Sequence, residues 1–537
     1  MVDDPTRLPH ASAGDGGLHR VLDRRCRRRA ADTPLPLVLA ALPPAGGCLL
    51  PLPQPRRRPG SGVRPRDRGL VHGQPPPLVR GRVPAALRRG DRRARRGPGD
   101  PADHPDRRLP GGGRDDRDGR RGRLRTPRGR VDPRFPAGTR ECGMTFVEGK
   151  AVITGVGQSA VGRKLGRGGV DLAIDAALEA IEHAGLDASD IDGVASYPGP
   201  VPAEGGFVGA TTHDVRDALG LRTTWVISGS ETPGQAGTLM DAAASIATGR
   251  ATHVLCFRSV FESTAQAAGR AQALTQVARR ASGHLEFRMP FGAASPANWI
   301  ALYAQRYMHE FGLTREQLGQ IPLNGRRNAA RNPKAIYTAP MTLEDYLSAR
   351  LISYPFGLYD CDVPCDGATA VILSRRDAAK NSGRPAIAIE AAGSGLYQRH
   401  SWDQRADLTT MAAHDAGHHM WEQTRLTPSD VDFAELYDGF SYLCAQWIEA
   451  LGFCKHGEVG PFLEDTAHYA PDGELPINTH GGQLSAGRLH GYGFLHEACV
   501  QLWGEAGERQ IRKDVEIAAV GIGGGPEAGC LLLRREN

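Results

Sequence analysis

The first 143 of the 537 residues contain no lysine, isoleucine, asparagine, tyrosine or tryptophan, and a single phenylalanine, Phe135. They hold 33 of the 66 basic residues, all of them arginine, and 22 of the 39 prolines. Ordering a residue costs about 1–2 kcal/mol of conformational entropy, which so few apolar and aromatic side chains cannot offset. This composition excludes a packed core, and we expect residues 1–143 to be disordered.

Four of the missing residue types, together with phenylalanine, share AT-rich codons, so the segment resembles GC-rich DNA translated out of frame. We therefore expect the native product to start at or near Met144. The 33 arginines and 15 acidic residues of this segment give a net charge of +18, whereas the remaining 33 basic and 45 acidic residues give −12. The overall charge of +6 is an average of two unlike parts and does not indicate nucleic-acid binding. The alternative is a basic tail for nucleic acid or an anionic membrane.

The sequence has no apolar run that could span a bilayer, which needs about 20 residues. The apolar patch at residues 35–52 is broken by prolines and lacks the layout of a signal peptide. The seven cysteines after residue 143 include no CxxC pair. This spacing excludes a zinc ribbon and indicates reduced thiols, so we expect a cytoplasmic protein.

Residues 144–537 alternate predicted strands and helices twice over. A strand at 151–153 precedes an amphipathic helix at 170–184, which Gly185 ends. A small-residue helix at 234–249 precedes a strand at 253–257, and a second strand–helix series begins near residue 385. The pattern predicts an α/β fold with an N-terminal half at 144–380, an insertion near 258–350 that lies over the pocket, and a similar C-terminal half at 381–537.

Several segments resemble the thiolase superfamily when taken in order. They are G-Q-A-G-T-L-M-D-A-A-A-S-I-A-T-G from Gly234, N-G-R-R-N-A-A-R-N-P from Asn324, E-L-Y-D-G-F-S from Glu435, N-T-H-G-G-Q-L-S-A-G-R-L-H-G-Y-G from Asn478, and G-I-G-G-G from Gly521. The second is similar to the sterol-carrier and lipid-transfer branch. The resemblance implies the thiolase fold, with two similar halves in five αβαβα layers. It also implies a homodimer that acts on acyl-coenzyme A.

The catalytic residues of that family do not carry over to this chain. Glu231 or Thr232 stands where the acyl-accepting cysteine belongs, Arg488 replaces the histidine of the G-H-P segment, and Gly521 replaces the second cysteine. A thiolase cycle needs an activated thiolate and a second thiol that acts as an acid. The substitutions therefore exclude a conventional thiolase.

The glycine loops of the family are retained. Backbone N–H groups at Gly481, Gly482, Gly523 and Gly524 can point at a thioester oxygen, and one such donor typically contributes about 3–4 kcal/mol. We expect Glu231 and Thr232 to lie beside this oxyanion pocket. The alternative is that the glycines only form tight turns.

A site that stabilises a thioester enolate without a nucleophile suits retro-aldol cleavage of a 3-hydroxyacyl-CoA, which needs one base and one acid. Tyr437 and Tyr492 are the candidates for these roles, with His490, His480 and Asp438 as supporting groups. Each has a structural alternative, as a packed side chain, a loop hydrogen bond or a turn cap. The pattern resembles the steroid side-chain-cleaving aldolases, which implies a 17-hydroxy steroid acyl-CoA that yields a 17-ketosteroid and propionyl-CoA.

The resemblance also bears on binding partners. Arg326, Arg327 and Arg331 are candidates for binding the coenzyme A phosphates. Relatives of this kind pair with an OB-fold/zinc-ribbon (DUF35) protein, which implies a heterotetramer with zinc only in the partner. We expect no metal or cofactor in this chain. The alternatives are a catalytically silent thiolase-like subunit, or an acyltransferase or lyase for a non-steroid acyl-CoA.

Overall fold

The computed structural model describes residues 149–199, 206–230, 232–273, 285–380 and 383–536. The segment predicted to be disordered, residues 1–143, lies outside them. The first half of the described chain runs through β1 (Ala151–Gln158), α1 (Gly169–His183), β2 (Gly193–Ser196), α2 (Thr212–Leu219), β3 (Trp225–Ser228), α3 (Gly237–Ala247) and β4 (His253–Phe261). It continues through α4 (Glu262–Ala273), α5 (Leu285–Arg288), α6 (Pro296–Phe311), α7 (Arg315–Leu318), α8 (Gln320–Ala329), α9 (Leu343–Ser348), β5 (Leu351–Ser353), β6 (Phe356–Gly357) and β7 (Asp366–Arg375).

The second half repeats the alternation over a shorter length. Its elements are β8 (Ile387–Gly395), α10 (Ala412–Trp421), β9 (Phe433–Leu436), α11 (Ser441–Ala450), α12 (Val459–Glu464), α13 (Gly482–Ser485), α14 (Tyr492–Trp503), β10 (Ile517–Gly523) and β11 (Ala528–Arg535).

Nine strands form one mixed sheet in the order β3-β2-β4-β7-β1-β8-β11-β10-β9, and β5 pairs separately with β6. The order is mirrored about the β1–β8 pair. On one side β2 and β4 are parallel, whereas β4–β7 and β7–β1 are antiparallel. On the other side β9 and β10 are parallel, whereas β10–β11 and β11–β8 are antiparallel. This repeat confirms the predicted α/β fold of two similar halves.

Both halves bring their first helix close to their first strand through a pair of glycines. A Cβ on Gly155 or Gly157 of β1 would lie 2.4 or 2.3 Å from a backbone oxygen of α1. A Cβ on Gly393 or Gly395 of β8 would lie 1.9 or 2.0 Å from a backbone oxygen of α10. Only glycine fits at these four positions without a shift of the helix.

The strand β4 is buried on both faces. Along β4, Val254 and Cys256 belong to the core that includes α3, whereas Leu255 and Phe257 belong to the core that includes α1. This alternation follows from the two-residue period of a strand. The helix α14 contacts strands of both halves, so α3 and α14 are the central helices of the fold.

The structure extends two predicted strands. The strand β1 runs on to Gln158, and β4 runs on to Phe261, so residues 258–261 belong to the sheet rather than to the predicted insertion. The elements α4–α9 and β5–β6 then separate β4 from β7, whereas only residues 524–527 separate the corresponding strands β10 and β11. Among the helices of the described ranges, none has the length and apolar character needed to cross a bilayer.

Candidate active site

The two central helices begin at the same place. Tyr492 is the first residue of α14, and its hydroxyl lies 2.5 Å from Oγ1 of Thr238, the second residue of α3. Just before each helix, Gln235 and His490 line one cavity, and Gln235 Nε2 lies 2.8 Å from His490 Nδ1. Helix N-termini carry a partial positive charge. Each half of the fold therefore places the positive end of a helix dipole at the wall of this cavity, where it would stabilise negative charge.

The cavity has a volume of about 440 Å³, within the size range of small-molecule sites. One part of its wall is apolar and aromatic: Tyr197, Phe207, Pro296, Ile300, Trp402, Phe440, Leu443 and Pro526. The other part carries proton donors, acceptors and charges: Gln235, Glu262, Asp362, His400, Tyr437, Arg488, His490 and Glu527. Such a cavity suits a bulky apolar ligand whose reacting group is polar.

We call Glu262, Asp362, Tyr437, Arg488 and His490 the pocket cluster. Arg488 donates two hydrogen bonds to Glu262 (Nε–Oε2 2.9 Å, Nη2–Oε1 2.8 Å) and one to Asp362 (Nη1–Oδ1 3.0 Å). Burial raises the pKa of Asp362 to about 6, although Arg488 opposes this shift. The pocket therefore contains a carboxyl group that titrates near neutral pH, where acid–base catalysis is most efficient.

Tyr437 follows β9 and lines the cavity beside this network. Its ring packs against His490 and Phe494, with centroid distances of 6.2 and 6.1 Å. Burial and then the charge of Asp362 raise the pKa of the phenol, against the influence of the nearby Gln483 side chain and the charge of Arg488. Tyr437 is therefore a neutral phenol at physiological pH, able to donate a proton.

His490 has a left-handed backbone (φ 52°), and its ring lies between Tyr197, Phe207 and Tyr437. Burial and then the charges of Arg258 and Arg488 lower its pKa well below the ordinary value. The imidazole is therefore neutral and can orient a polar group through hydrogen bonds. The structure places Tyr437 and His490 together at the cavity, as predicted, and their catalytic roles stay predictions.

Tyr492 lies behind the cavity wall. Its side chain is fully buried, its hydroxyl is bonded to Thr238, and it is absent from the residues that line the cavity. Burial raises its pKa well above the ordinary value, against the hydrogen bond to Thr238 and the charge of Arg258. The Tyr492 hydroxyl therefore lies beneath the site rather than in its wall, and its catalytic role stays a prediction.

A buried arginine stands behind the same wall. Arg258 lies within β4, and its guanidinium stacks 4.6 Å from the centre of the Phe207 ring. Its Nη1 donates to Ser259 O at 3.0 Å, whereas Nε and Nη2 have no hydrogen-bond partner among the described residues. Burial lowers its pKa to about 10, so the group stays charged. Arg258 thus supplies a positive charge near Tyr197, Tyr437 and Tyr492.

The two predicted oxyanion loops lie in different places. Gly523 (φ 80°) and Gly525 line the cavity, whereas the N–H of Gly524 (φ 131°) donates to Glu527 O at 3.1 Å. Gly481 and Gly482 do not line it. The N–H of Gly481 donates to Asn478 O at 2.9 Å, and a Cβ on Gly482 would lie 1.9 Å from Asp438 Oδ2. Of the four glycines, only Gly523 lines this cavity, and the predicted role of its N–H at a thioester oxygen stays a prediction.

Asp438 is also turned away from the cavity. Its Oδ1 accepts from the N–H of Gln483 at 2.7 Å, and it accepts a second bond from the N–H of Leu484. Burial raises its pKa to about 7, against these bonds. Asp438 caps the short helix α13, which was the structural alternative to its predicted catalytic role.

His480 belongs to a second buried network, which we call the core cluster: Glu435, Thr479, His480, Glu497, Gln501 and Arg509. Its Nδ1 lies 2.9 Å from Glu435 Oε2. The Thr479 hydroxyl lies 2.8 Å from Glu435 Oε1 and 2.9 Å from Glu497 Oε1, and Arg509 Nη2 donates to Glu497 Oε2 at 2.9 Å. His480 lines a different, polar cavity, so the structure does not bring it to the pocket cluster.

Charge partners set the protonation of the core cluster. Burial opposes protonation of His480, but the charge and hydrogen bond of Glu435 outweigh it and raise its pKa. Burial raises the pKa of Glu435, whereas Arg509 outweighs burial at Glu497 and lowers its pKa. Because Thr479 has a single hydroxyl proton, it can donate to only one of the two carboxylates at a time.

The remaining predicted residues are scattered. Glu231 lies outside the described residues. Thr232 precedes α3, and its hydroxyl donates to Gly234 O at 2.7 Å. Arg326 is buried, bonded to Ser485 Oγ at 3.2 Å and stacked on two tyrosines, whereas Arg327 is exposed. Arg331 lines a separate surface cavity. The three arginines do not form one patch, and their predicted role in binding coenzyme A stays a prediction.

Sequence reasoning missed Glu262 and Asp362 as site residues. Glu262 comes directly after the buried strand β4, and Asp362 precedes β7 in the segment D-C-D-V-P-C-D. An acidic residue directly after a buried strand was a usable signal for Glu262, since ligands bind beyond the carboxyl ends of strands in α/β folds. Asp362 gave no such signal, because its partner Arg488 is 126 residues away.

Comparison with known proteins agrees with this geometry. The family described as thiolase C-terminal domain-like matches residues 394–530. The chain is 35% identical to the steroid side-chain-cleaving aldolase of Thermomonospora curvata over 362 residues, 66% of this chain and 90% of that protein. It is 33% identical to the 17-hydroxy-3-oxo-4-pregnene-20-carboxyl-CoA lyase of Mycobacterium tuberculosis over 400 residues, 72% of this chain and 100% of that protein.

A solved structure gives the same result. The Ltp2-ChsH2(DUF35) aldolase superposes with a TM-score of 0.63 at 32% identity, covering 73% of this chain and 99% of that chain. The similarity therefore spans nearly the whole length of each of these proteins.

Proposed function

The chain belongs to the thiolase superfamily and is a carbon–carbon lyase of its aldolase branch, and on that premise we propose that it cleaves the side chain of a steroid acyl-CoA. The substrate is a 3-hydroxyacyl-CoA whose hydroxyl carbon is C17 of the steroid. The products are a 17-ketosteroid and propionyl-CoA.

One observation carries this proposal. An apolar cavity ends in a phenol, a carboxyl group and an arginine, and no cysteine is found among the described residues that line it. The apolar wall matches a rigid hydrocarbon ring system, and the polar end matches the hydroxyl and thioester groups. Removal of the hydroxyl proton breaks the Cα–Cβ bond, the electron pair moves into the thioester as an enolate, and a proton delivered to Cα completes the acyl-CoA.

We further propose that the chain works as a homodimer with a DUF35 partner, in a heterotetramer. The solved relative is an Ltp2-ChsH2(DUF35) aldolase. Zinc is then expected in the partner, and this chain needs no cofactor beyond the coenzyme A of the substrate. A cytoplasmic location fits the seven cysteines of the described ranges, none of which forms a disulfide bond there.

Incubating the purified chain and its DUF35 partner with a 17-hydroxy steroid side-chain CoA thioester tests the proposal. We expect equimolar ketosteroid and propionyl-CoA, resolved by liquid chromatography and mass spectrometry. The matching thioester without the 17-hydroxyl is the control and should stay intact, since it has no proton to lose at that oxygen. An intact hydroxylated substrate with every pairing of subunits would instead indicate a catalytically silent subunit.

A further inference from the structure

Asp362 provides the carboxyl group at the polar end of the cavity, and its role in the proposed reaction is still to be assigned. It lines the wall beside Tyr437, and its backbone N–H donates to the carbonyl of Gly439, two residues beyond that tyrosine. Arg488 holds one carboxyl oxygen, Oδ1. No described residue donates a hydrogen bond to the other oxygen, Oδ2. The residue is therefore fixed in place, with an acceptor oxygen available to a ligand.

The two neighbours differ in proton affinity. Burial raises the pKa of Asp362 only to about 6, because Arg488 counteracts it. Burial and the charge of Asp362 raise the pKa of Tyr437 far above neutrality. At pH 7 to 8 the carboxyl group is mostly ionised and the phenol is protonated. Two adjacent groups whose surroundings drive their pKa values apart are suited to act as a base and an acid.

We propose that Asp362 accepts the proton of the substrate hydroxyl and that Tyr437 beside it delivers a proton to Cα of the departing acyl group. This assignment rests on the proposed function and gives its base and acid. Tyr492, bonded to Thr238 behind the wall, then positions the start of α14.

The charges around Asp362 come from several elements. Arg488, on the loop before α14, attracts its negative charge, and Glu262, at the start of α4, opposes it. Tyr437 and Asp438 follow β9, whereas Cys361 and Cys365 lie on the same segment as Asp362. Among these groups, Arg488 is the cation that lowers the pKa of Asp362. Loss of the Glu262 carboxylate should lower the pKa of Asp362.

The proton balance closes without an added reagent. The hydroxyl O–H bond breaks and Asp362 takes the proton, while the O–H electrons form the ketone C=O bond. The Cα–Cβ pair becomes the enolate, which takes the Tyr437 proton to give propionyl-CoA and a phenolate. The proton on Asp362 then returns to this phenolate, since the two groups are neighbours, and the site is restored.

The pH dependence of kcat/KM between pH 5 and 9, measured on the complex with its partner, tests this assignment. The wild type should rise to a plateau with an apparent pKa near 6. Asp362→Asn should lower kcat/KM about 10²–10⁴-fold and abolish its rise with pH. Asp362→Glu should keep the rise with partial activity. Tyr437→Phe should lose activity but keep the rise near pH 6, and the exposed control Asp377→Asn should match the wild type.

The outcomes separate this proposal from the proposed function. Wild-type turnover together with an Asp362→Asn rate within threefold of it would overturn the assignment and leave the function standing. A wild type that cleaves no 3-hydroxyacyl-CoA with any partner would overturn both. If Asp362→Asn fails to fold, as judged by circular dichroism, Asp362→Glu decides: a profile without the rise near pH 6 would contradict a carboxyl base.

Discussion

The pocket cluster and the core cluster contain similar groups in different states of completion. Each has a half-buried arginine, two carboxyl groups and a histidine. In the core cluster Glu435 and Glu497 have partners at both oxygens, and the network is closed. In the pocket cluster Asp362 keeps an acceptor oxygen at a cavity wall, and Tyr437 stands beside it. The pocket cluster, unlike the core cluster, therefore keeps a hydrogen-bond acceptor for a ligand.

Tyr437→Phe is expected to have the largest effect among the variants that test this difference between the two clusters. It removes the proton donor from the cavity, so kcat should fall about 10²–10⁴-fold. The free energy of unfolding should change by no more than about 1 kcal/mol, the value of one hydrogen bond. Steady-state kinetics and urea denaturation measure the two quantities.

The control is Tyr354→Phe, since Tyr354 is exposed. Its activity and stability should equal those of the wild type. A Tyr437→Phe variant that unfolded easily but cleaved substrate normally would place Tyr437 among the structural residues instead.

Arg509→Ala tests whether the core cluster stabilises the fold. It leaves the carboxylate of Glu497 buried without its cation, and removal of one partner of a buried pair costs about 3–5 kcal/mol. Denaturant unfolding should show this loss. Arg375→Ala breaks the exposed pair with Asp377 and should cost less than about 1 kcal/mol. Equal losses for the two variants would show that the core cluster is not a stabilising network.

The pocket cluster should also make stability depend on pH. The pKa of Asp362 is about 6 in the folded chain and about 3.9 when unfolded, so between these values the folded state binds more protons. Its contribution is therefore present below pH 4 and lost as pH rises through 6, by roughly 2–3 kcal/mol. Unfolding free energies at pH 4.5 and 7.5 should differ by less in Asp362→Asn than in the wild type, whereas Asp377→Asn should keep the wild-type difference.

Tyr492→Phe is expected to give the smallest effect. It removes the hydroxyl from a buried hydrogen bond to Thr238, which should cost about 1 kcal/mol. A double-mutant cycle with Thr238→Val measures the coupling. Because the Tyr492 hydroxyl is not in the cavity wall, kcat should fall less than in Tyr437→Phe. A larger fall would assign the proton donor to Tyr492.

The fold was predictable from the sequence because its signals are local and repeated. The apolar spacing from Leu172 to Ile181 and the stop at Gly185 predicted α1 within one residue at each end. The site was less predictable, because proximity to a motif does not show which way a side chain faces. Asp438 and His480 lie on the expected loops, yet one caps α13 and the other pairs with Glu435. Glu262 and Asp362 join the site through Arg488, a contact between distant segments.

The mirrored arrangement about β1 and β8 has a consequence for how this enzyme can be divided. Asp362 precedes the crossing from one half to the other, whereas Tyr437, Arg488 and His490 come after it. If the chain were divided between β7 and β8, each of the two fragments would contain only part of the reaction centre. Such fragments could recover activity only by assembling with each other. Duplication of an ancestral unit would thus have given a pair of copies free to specialise, one toward accepting protons and the other toward donating them.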